Sequence, residues 1–179
     1  MRVRPLLHTI AFRACRWAAA GPASSLIEKT AALVLRAMWN EDVLHMERNG
    51  EAWLLERLST KMAARVIFDV GANRGDWAAL ALRWFPEAVI FCFEIVPSVA
   101  SNLADRFRDN GRVRVVPCGL SDAEGIRSVT CFAGSDAVSA INPLPWEPTP
   151  RIVQCPVTTG ATFLASERIE HLDLLKIDT

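Results

Sequence analysis

The chain has 179 residues, 51% hydrophobic and 22% charged, which suits one globular domain with a sizeable core rather than a disordered segment. Its 20 basic and 20 acidic side chains cancel, so bulk charge gives no attraction to polyanions and nucleic acid is not an expected partner. Five cysteines without a Cys-x-x-Cys pair and three histidines without metal-ligand spacing leave little from which to build a zinc site; no metal is expected, and a reduced, cytoplasmic protein is the simplest reading.

The first 27 residues carry Arg2, Arg4, Arg13 and Arg16 and no acid. Leu6 to Ala20 is mostly apolar but broken by His8, Arg13 and Arg16, and no stretch reaches the roughly 18 uninterrupted apolar residues of a membrane span. A basic helical extension is expected there; resemblance to a transit peptide or a helix in weak contact with a membrane surface is loose. Ser25-Leu26-Ile27-Glu28 has capping-box spacing and predicts a helix with Ile27, Ala31, Val34 and Met38 on one face. A second helical run, Glu51 to Ala63, spaces Trp53, Leu54, Leu58 and Met62. The expected organisation is an N-terminal helical extension, 1–49, ahead of a main domain, 50–179.

The pattern changes at Val66-Ile67-Phe68-Asp69-Val70-Gly71, a short run that predicts a strand buried on both faces. A glycine-bearing turn to Gly75, a helix over Asp76 to Trp84 and a strand over Ala88 to Glu94 follow. Pro97 suits the first turn of the next helix, which Asn110-Gly111 ends, and Val113 to Pro117 is a third strand. Arg127 to Phe132 is expected to be antiparallel, Ala133 to Pro150 a proline-rich loop, and Ile152 to Val157 a strand. A short helix from about Thr162 to Ile169 leads to a last strand, Leu172 to Asp178. Repeated β-α-β units predict an α/β, Rossmann-like parallel sheet. The sequence stops at Thr179, at the tip of that strand, where a doubly wound sheet should continue; a sheet incomplete at its C-terminus, in a fragment of a longer protein, is expected.

Asp69-Val70-Gly71-Ala72-Asn73-Arg74-Gly75-Asp76 joins a buried strand to a helix, where glycines permit positive φ and close approach of a ligand. A dinucleotide turn needs Gly-x-Gly-x-x-Gly, but Asn73 and Asp76 stand at the second and third glycine positions, and a carboxylate at the helix start repels a pyrophosphate. An NAD-linked oxidoreductase is therefore disfavoured. An adenosine with a cationic centre and no phosphate fits better, and S-adenosylmethionine is such a molecule. Glu94, ending the second strand, can accept from both ribose hydroxyls, Ile95 and Val96 can flank the adenine, and Ser121-Asp122 lies where the adenine amino group is expected. Each has a plainer alternative: a tight turn, a solvated strand-end carboxylate, and a hairpin turn completed by Glu124-Gly125.

Val66 to Asn73, Phe93-Glu94 with Pro97 after it, Gly119-Leu120-Ser121-Asp122-Ala123-Glu124-Gly125, Val157-Thr158-Thr159 and Asp173-Leu174-Leu175-Lys176-Ile177-Asp178 together resemble the FkbM-type family of S-adenosylmethionine-dependent methyltransferases. The resemblance implies a class I methyltransferase fold from about residue 50 onward and methyl transfer to a hydroxyl of a sugar or natural-product-like acceptor, a small molecule or glycan. It implies that Asp69, Gly71, Asn73 and Gly75 line the methionine end of the cofactor, Glu94 the ribose and Asp122 the adenine. Where the family continues with Val-Glu-Gly this chain has Thr179, and Gly160-Ala161 stands in place of a Leu-Asp pair. Asp178, at the carboxyl edge of the sheet, is the candidate base, with a cofactor-side or structural role as the alternative. The loop from Ala133 to Pro150, with Trp146, is either an acceptor-side lid or an ordinary surface excursion. The competing class of function is a non-catalytic remnant or adenosine-binding module of the same fold.

Overall fold

Residues 46–131 and 151–178 are described by the computed structural model, with residues 26, 29–31 and 34 and the backbone of 139–140. The chain divides into two units, Met1–Ala52 and Trp53–Thr179. In the first, residues 26, 29–31 and 34 are helical, and Ala31 and Val34 are exposed. The arginine-bearing N-terminus, the capping pair Ser25 and Glu28, and Ile27 and Met38 lie outside the described residues.

Helix α1 (Glu51–Ser59) is shorter than the expected run, and the residue it buries is Leu55, while Trp53 and Leu54 are exposed. Leu55 and Leu58, one turn apart, define the inward stripe and leave their two predecessors outside it.

Strands β1 (Val66–Val70), β2 (Val89–Phe93), β3 (Val113–Val116) and, last in the chain, β8 (Leu174–Ile177) form one sheet in the order β3-β2-β1-β8 with every pairing parallel. Helix α2 (Asp76–Trp84) connects β1 to β2, and α3 (Pro97–Arg106), with Pro97 in its first turn, connects β2 to β3. This is an α/β, Rossmann-like sheet. β1 and β2 bury side chains on both faces, as parallel strands covered by crossover helices must. Ile67, Ile90 and Cys92 lie on one face with Ala78, Ala81 and Leu103 all buried. Phe68, Val70, Phe91 and Phe93 lie on the other, where α4 (Gly160–Ser166) sets Phe163 against them. The Phe163 ring is 4.7 Å from that of Phe93, 5.4 Å from Phe91 and 5.5 Å from Phe68, edge-on to each, the geometry aromatic quadrupoles favour. Helix α4 starts earlier than the expected Thr162 because Thr159 caps it, its Oγ1 accepting from the Thr162 amide at 3.0 Å.

A second sheet has the order β4-β7-β5-β6, built from β4 (Gly119–Leu120), β5 (Gly125–Cys131), β6 (Ser139–Ala140) and β7 (Arg151–Thr158). β7 runs parallel to β4 and antiparallel to β5. The stretch 121–124 is therefore not a hairpin turn: the strands on either side of it flank β7 instead of pairing with each other. Apart from Ser139–Ala140, which pairs with β5, the loop holding Trp146 lies outside the described residues.

Candidate functional site

β1 lies between β2, reached by the first crossover, and β8, the end of the described chain. The sheet's order reverses between β1 and β8, and in such sheets ligands bind outside the carboxyl ends of the strands at that reversal. The residues there are Gly71 after β1, Glu94 after β2 and Asp178 after β8.

The turn after β1 uses its amides internally. Gly71 N and Ala72 N both donate to the Phe93 carbonyl at 3.0 Å, Asn73 N donates to Glu94 Oε2 at 2.8 Å and Gly75 N to the Ala72 carbonyl at 2.7 Å. A phosphate cradle needs these groups free and convergent. Gly71 and Gly75 hold positive φ of 74° and 80°, conformations that side chains with a β-carbon resist. Gly75 also serves packing, since a β-carbon there would sit 2.5 Å from Leu103 Cδ1 and from Phe107 Cε2 of the α3 region. Asn73 adopts φ 48°, and its Oδ1 is buried without a hydrogen-bond partner.

Glu94 is 6% exposed and doubly held: besides the Asn73 bond, its Oε1 accepts from Val96 N at 2.9 Å. The carboxylate thereby ties the turn after β1 to the loop after β2 and keeps further lone pairs, two per oxygen being available. Ile95 packs on Gly119, where a β-carbon would meet Ile95 Cδ1 at 2.8 Å, so the β2 loop abuts β4 and the residues following it. Ser121 N donates to the Thr158 carbonyl at 2.9 Å and its hydroxyl to Asp122 Oδ1 at 3.0 Å. The Asp122 side chain is 93% exposed, with Arg127 Nη2 at 3.9 Å.

Asp69 sits lower in β1, wholly buried, on the face shared with Cys92, its register partner. A bare carboxylate there carries a desolvation cost of several kcal/mol. Opposite it in β8 is Lys176, whose Nζ is 3.0 Å from Asp69 Oδ1, an ion pair without the alignment of a hydrogen bond. The same ammonium donates to the Gly71 carbonyl at 3.4 Å and lies 3.6 Å from Asp178 Oδ2. Asp178 is 79% exposed at the strand tip, its amide bonded to the Val70 carbonyl at 3.0 Å. Burial pushes the Cys92 thiol far up, the Asp69 charge adds to this and Lys176 opposes it, so Cys92 is a core thiol and no nucleophile.

A separate cavity of about 250 Å³ opens beside α3, lined by Arg74, Val99, Asn102, Leu103 and Arg106. Arg106 there donates to the Arg74 carbonyl and pairs with Asp76. Its cationic wall is unsuited to a sulfonium. Among the described residues no group of three or more His, Cys, Asp or Glu could hold a metal ion, and no helix is long and apolar enough to cross a membrane.

No family model matches the chain. Over 79 residues it is 33% identical to the 31-O-demethyl-FK506 methyltransferase FkbM of Streptomyces tacrolimicus, a match covering 44% of this chain and 30% of that protein. The chain is similar to FkbM-type methyltransferases. The crystal structure of a methyltransferase FkbM from Methylobacillus flagellatus KT aligns with 65% of this chain and 26% of its own, at 14% identity and a TM-score of 0.40. In both comparisons the chain spans less than a third of the FkbM protein's length.

Parts of the segments that resemble the FkbM-type family lie along one edge. Bonds link Asn73 to Glu94 and Gly71 to the residue before Glu94, packing links Ile95 to Gly119, and Lys176 links Asp69, Gly71 and Asp178. Gly75 faces α3, and the cofactor role expected of Asp69 finds that carboxylate sealed under Lys176. Lys176 itself was given no role by the sequence. Its signal was a lone cation in the apolar run of β8, whose significance needs the β1–β8 register.

Proposed function

We propose that this chain carries the methyl-donor site of an S-adenosylmethionine-dependent methyltransferase acting on a hydroxyl of a sugar or natural-product-like small molecule or glycan. The observation that carries the reading is Glu94, a nearly buried carboxylate pinned by two backbone amides beside a turn whose own amides are spent internally. That edge offers acceptors and negative charge, not an anion cradle, and so suits an uncharged nucleoside with a cationic centre. The unpartnered Asn73 Oδ1 calls for a donor, which the ammonium of a methionine moiety carries; a buried acceptor left unmet costs about 1–3 kcal/mol. The residues present fit the cofactor on these grounds.

In this reading Glu94 accepts from the ribose, Gly71 and Asn73 border the methionine end, and Ile95, Ser121 and Asp122 border the adenine. S-adenosylmethionine, when bound, supplies a methyl carbon already activated by its sulfonium. The protein's part is alignment and exclusion of water, which can supply ~7–11 kcal/mol of a barrier. Asp178, exposed at the strand tip, takes the acceptor's hydroxyl proton on its carboxylate.

Isothermal titration with S-adenosylmethionine tests this. Binding by the purified chain is expected, and Glu94→Ala, checked for folding by circular dichroism, should lose ~1.5–3 kcal/mol of it, the range for hydrogen bonds to a charged group. Unchanged affinity in a folded variant would refute the ribose assignment. Binding with no transfer to hydroxyl acceptors would instead favour an adenosine-binding module.

A further inference from the structure

We propose that Lys176 is a positioning residue that sets the turn after β1 and the Asp178 carboxylate together, beyond neutralising Asp69; as a statement about the donor site, this rests on the methyl-donor reading above.

Three groups converge on one ammonium. Asp69 Oδ1 at 3.0 Å belongs to the body of β1, the Gly71 carbonyl at 3.4 Å to the turn, and Asp178 Oδ2 at 3.6 Å to the tip of β8. The Lys176 side chain is 16% exposed and Asp69 is wholly buried, so water screens that pair far less than a surface one, while the contact with the exposed Asp178 is the more screened of the two. Asp69 alone would account for a lysine at this register, because a buried carboxylate must be compensated. It does not account for the other two contacts, which reach the groups bordering the methionine end and the acceptor. Gly71 donates its amide to the Phe93 carbonyl while its own carbonyl accepts from Lys176, so the peptide planes on both sides of this residue are held, at φ 74°. Asp178 has its amide bonded to the Val70 carbonyl while its side chain is 79% exposed, and the Lys176 ammonium, 3.6 Å from Oδ2, is a charge that biases where it points. One side chain therefore couples the donor-side turn to the candidate base.

The test must separate positioning from charge compensation. Lys176→Met alone strands Asp69 and would be expected to lose folded protein, which both roles predict. The informative pair is Asp69→Asn against Asp69→Asn with Lys176→Met, since a neutral amide removes the need for compensation in both. Amide hydrogen exchange is the readout that needs no ligand: exchange at 71–73 is expected to quicken roughly tenfold in the double variant relative to Asp69→Asn, with β1 and β2 amides unmoved. Titration with S-adenosylmethionine is the second readout, and affinity should fall about tenfold between the same two proteins. Exchange and affinity both equal in the two proteins would overturn the proposal and reduce Lys176 to a counter-ion. A quickened turn in a chain whose wild type binds no S-adenosylmethionine would uphold the positioning of the turn and sink the methyl-donor reading instead.

Discussion

Asp173 shows how much one carboxylate can hold at the start of a sheet. Its Oδ2 accepts from the amides of Arg65 at 2.7 Å and Val66 at 2.9 Å, its own amide donates to the Val66 carbonyl, and His171 Nε2 lies 2.9 Å from Oδ1. It is thus a clasp between the entry to β8 and the entry to β1, at the end of the strands opposite the candidate site. The Val66 and then the Arg65 amide bond, with His171 adding, hold its carboxyl below the usual 3.8, against some desolvation. A group with a depressed folded value binds fewer protons in the folded than in the unfolded chain, so stability rises with pH through that window. The clasp's contribution is complete above the ordinary carboxylate range and is lost as pH falls through the lowered value. Asp173→Asn should cost most stability at pH 7, where the clasp is complete, and progressively less between pH 5 and 3, flattening that part of the acid-unfolding profile as measured by denaturant titration. An unchanged acid limb would show that the clasp is not linked to folding.

At the scale of elements, α4 is held to the sheet by few residues. It has no fully buried side chain, and Phe163 makes the ring contacts with Phe68, Phe91 and Phe93. Truncating a fully buried Phe costs ~3–5 kcal/mol; Phe163 is half-buried, so Phe163→Ala should cost less than that and loosen α4 ahead of global unfolding. Exchange of the 163–167 amides faster than those of β1 would report it, and uniform loss across the sheet would count against an independent α4. Much of the architecture around α4 was legible beforehand. The apolar runs of β1 and β2 and Pro97 at the start of α3 mark boundaries by local chemistry, and the structure has α2 over Asp76–Trp84, where the sequence put it. What local chemistry could not supply was pairing. The 121–124 stretch has hairpin composition, yet β7 lies between its flanking strands, because strand order is decided by distant segments. For the same reason the surroundings of Asp69 were not legible: strand periodicity places it one step below the tip of β1, but only the β8 register brings Lys176 to it.

The molecule as a whole carries no net charge, so discrimination among ligands at the proposed site would have to come from local fields at the strand tips. Those tips belong to two sheets. Gly71, Asn73 and Glu94 border the parallel sheet, while Ser121 and Asp122 follow β4 of the second, and the two meet where Ile95 touches Gly119. A nucleoside reaching from Glu94 to Asp122 would bridge both sheets and stabilise them jointly, since a ligand that binds only the folded chain adds RT ln(1 + [L]/Kd), about 2.7 kcal/mol at a hundredfold excess over Kd. For a chain of this size that corresponds to a rise in Tm of roughly 5–10 °C. S-adenosylmethionine at saturating concentration should produce this shift, and NAD, whose pyrophosphate would meet a turn with its amides already bonded, should produce none. In the proposed reading the sulfonium would contribute through the carboxylates at that edge, so S-adenosylhomocysteine, lacking the charge, should shift Tm less than the methylated compound at equal concentration, and more so at low salt, where such fields are least screened. Scanning calorimetry with the three ligands at two ionic strengths decides it: a shift with NAD as large as that with S-adenosylmethionine would mean that the edge selects for nucleotides in general, and its charge could no longer be the reason for the methyl-donor assignment.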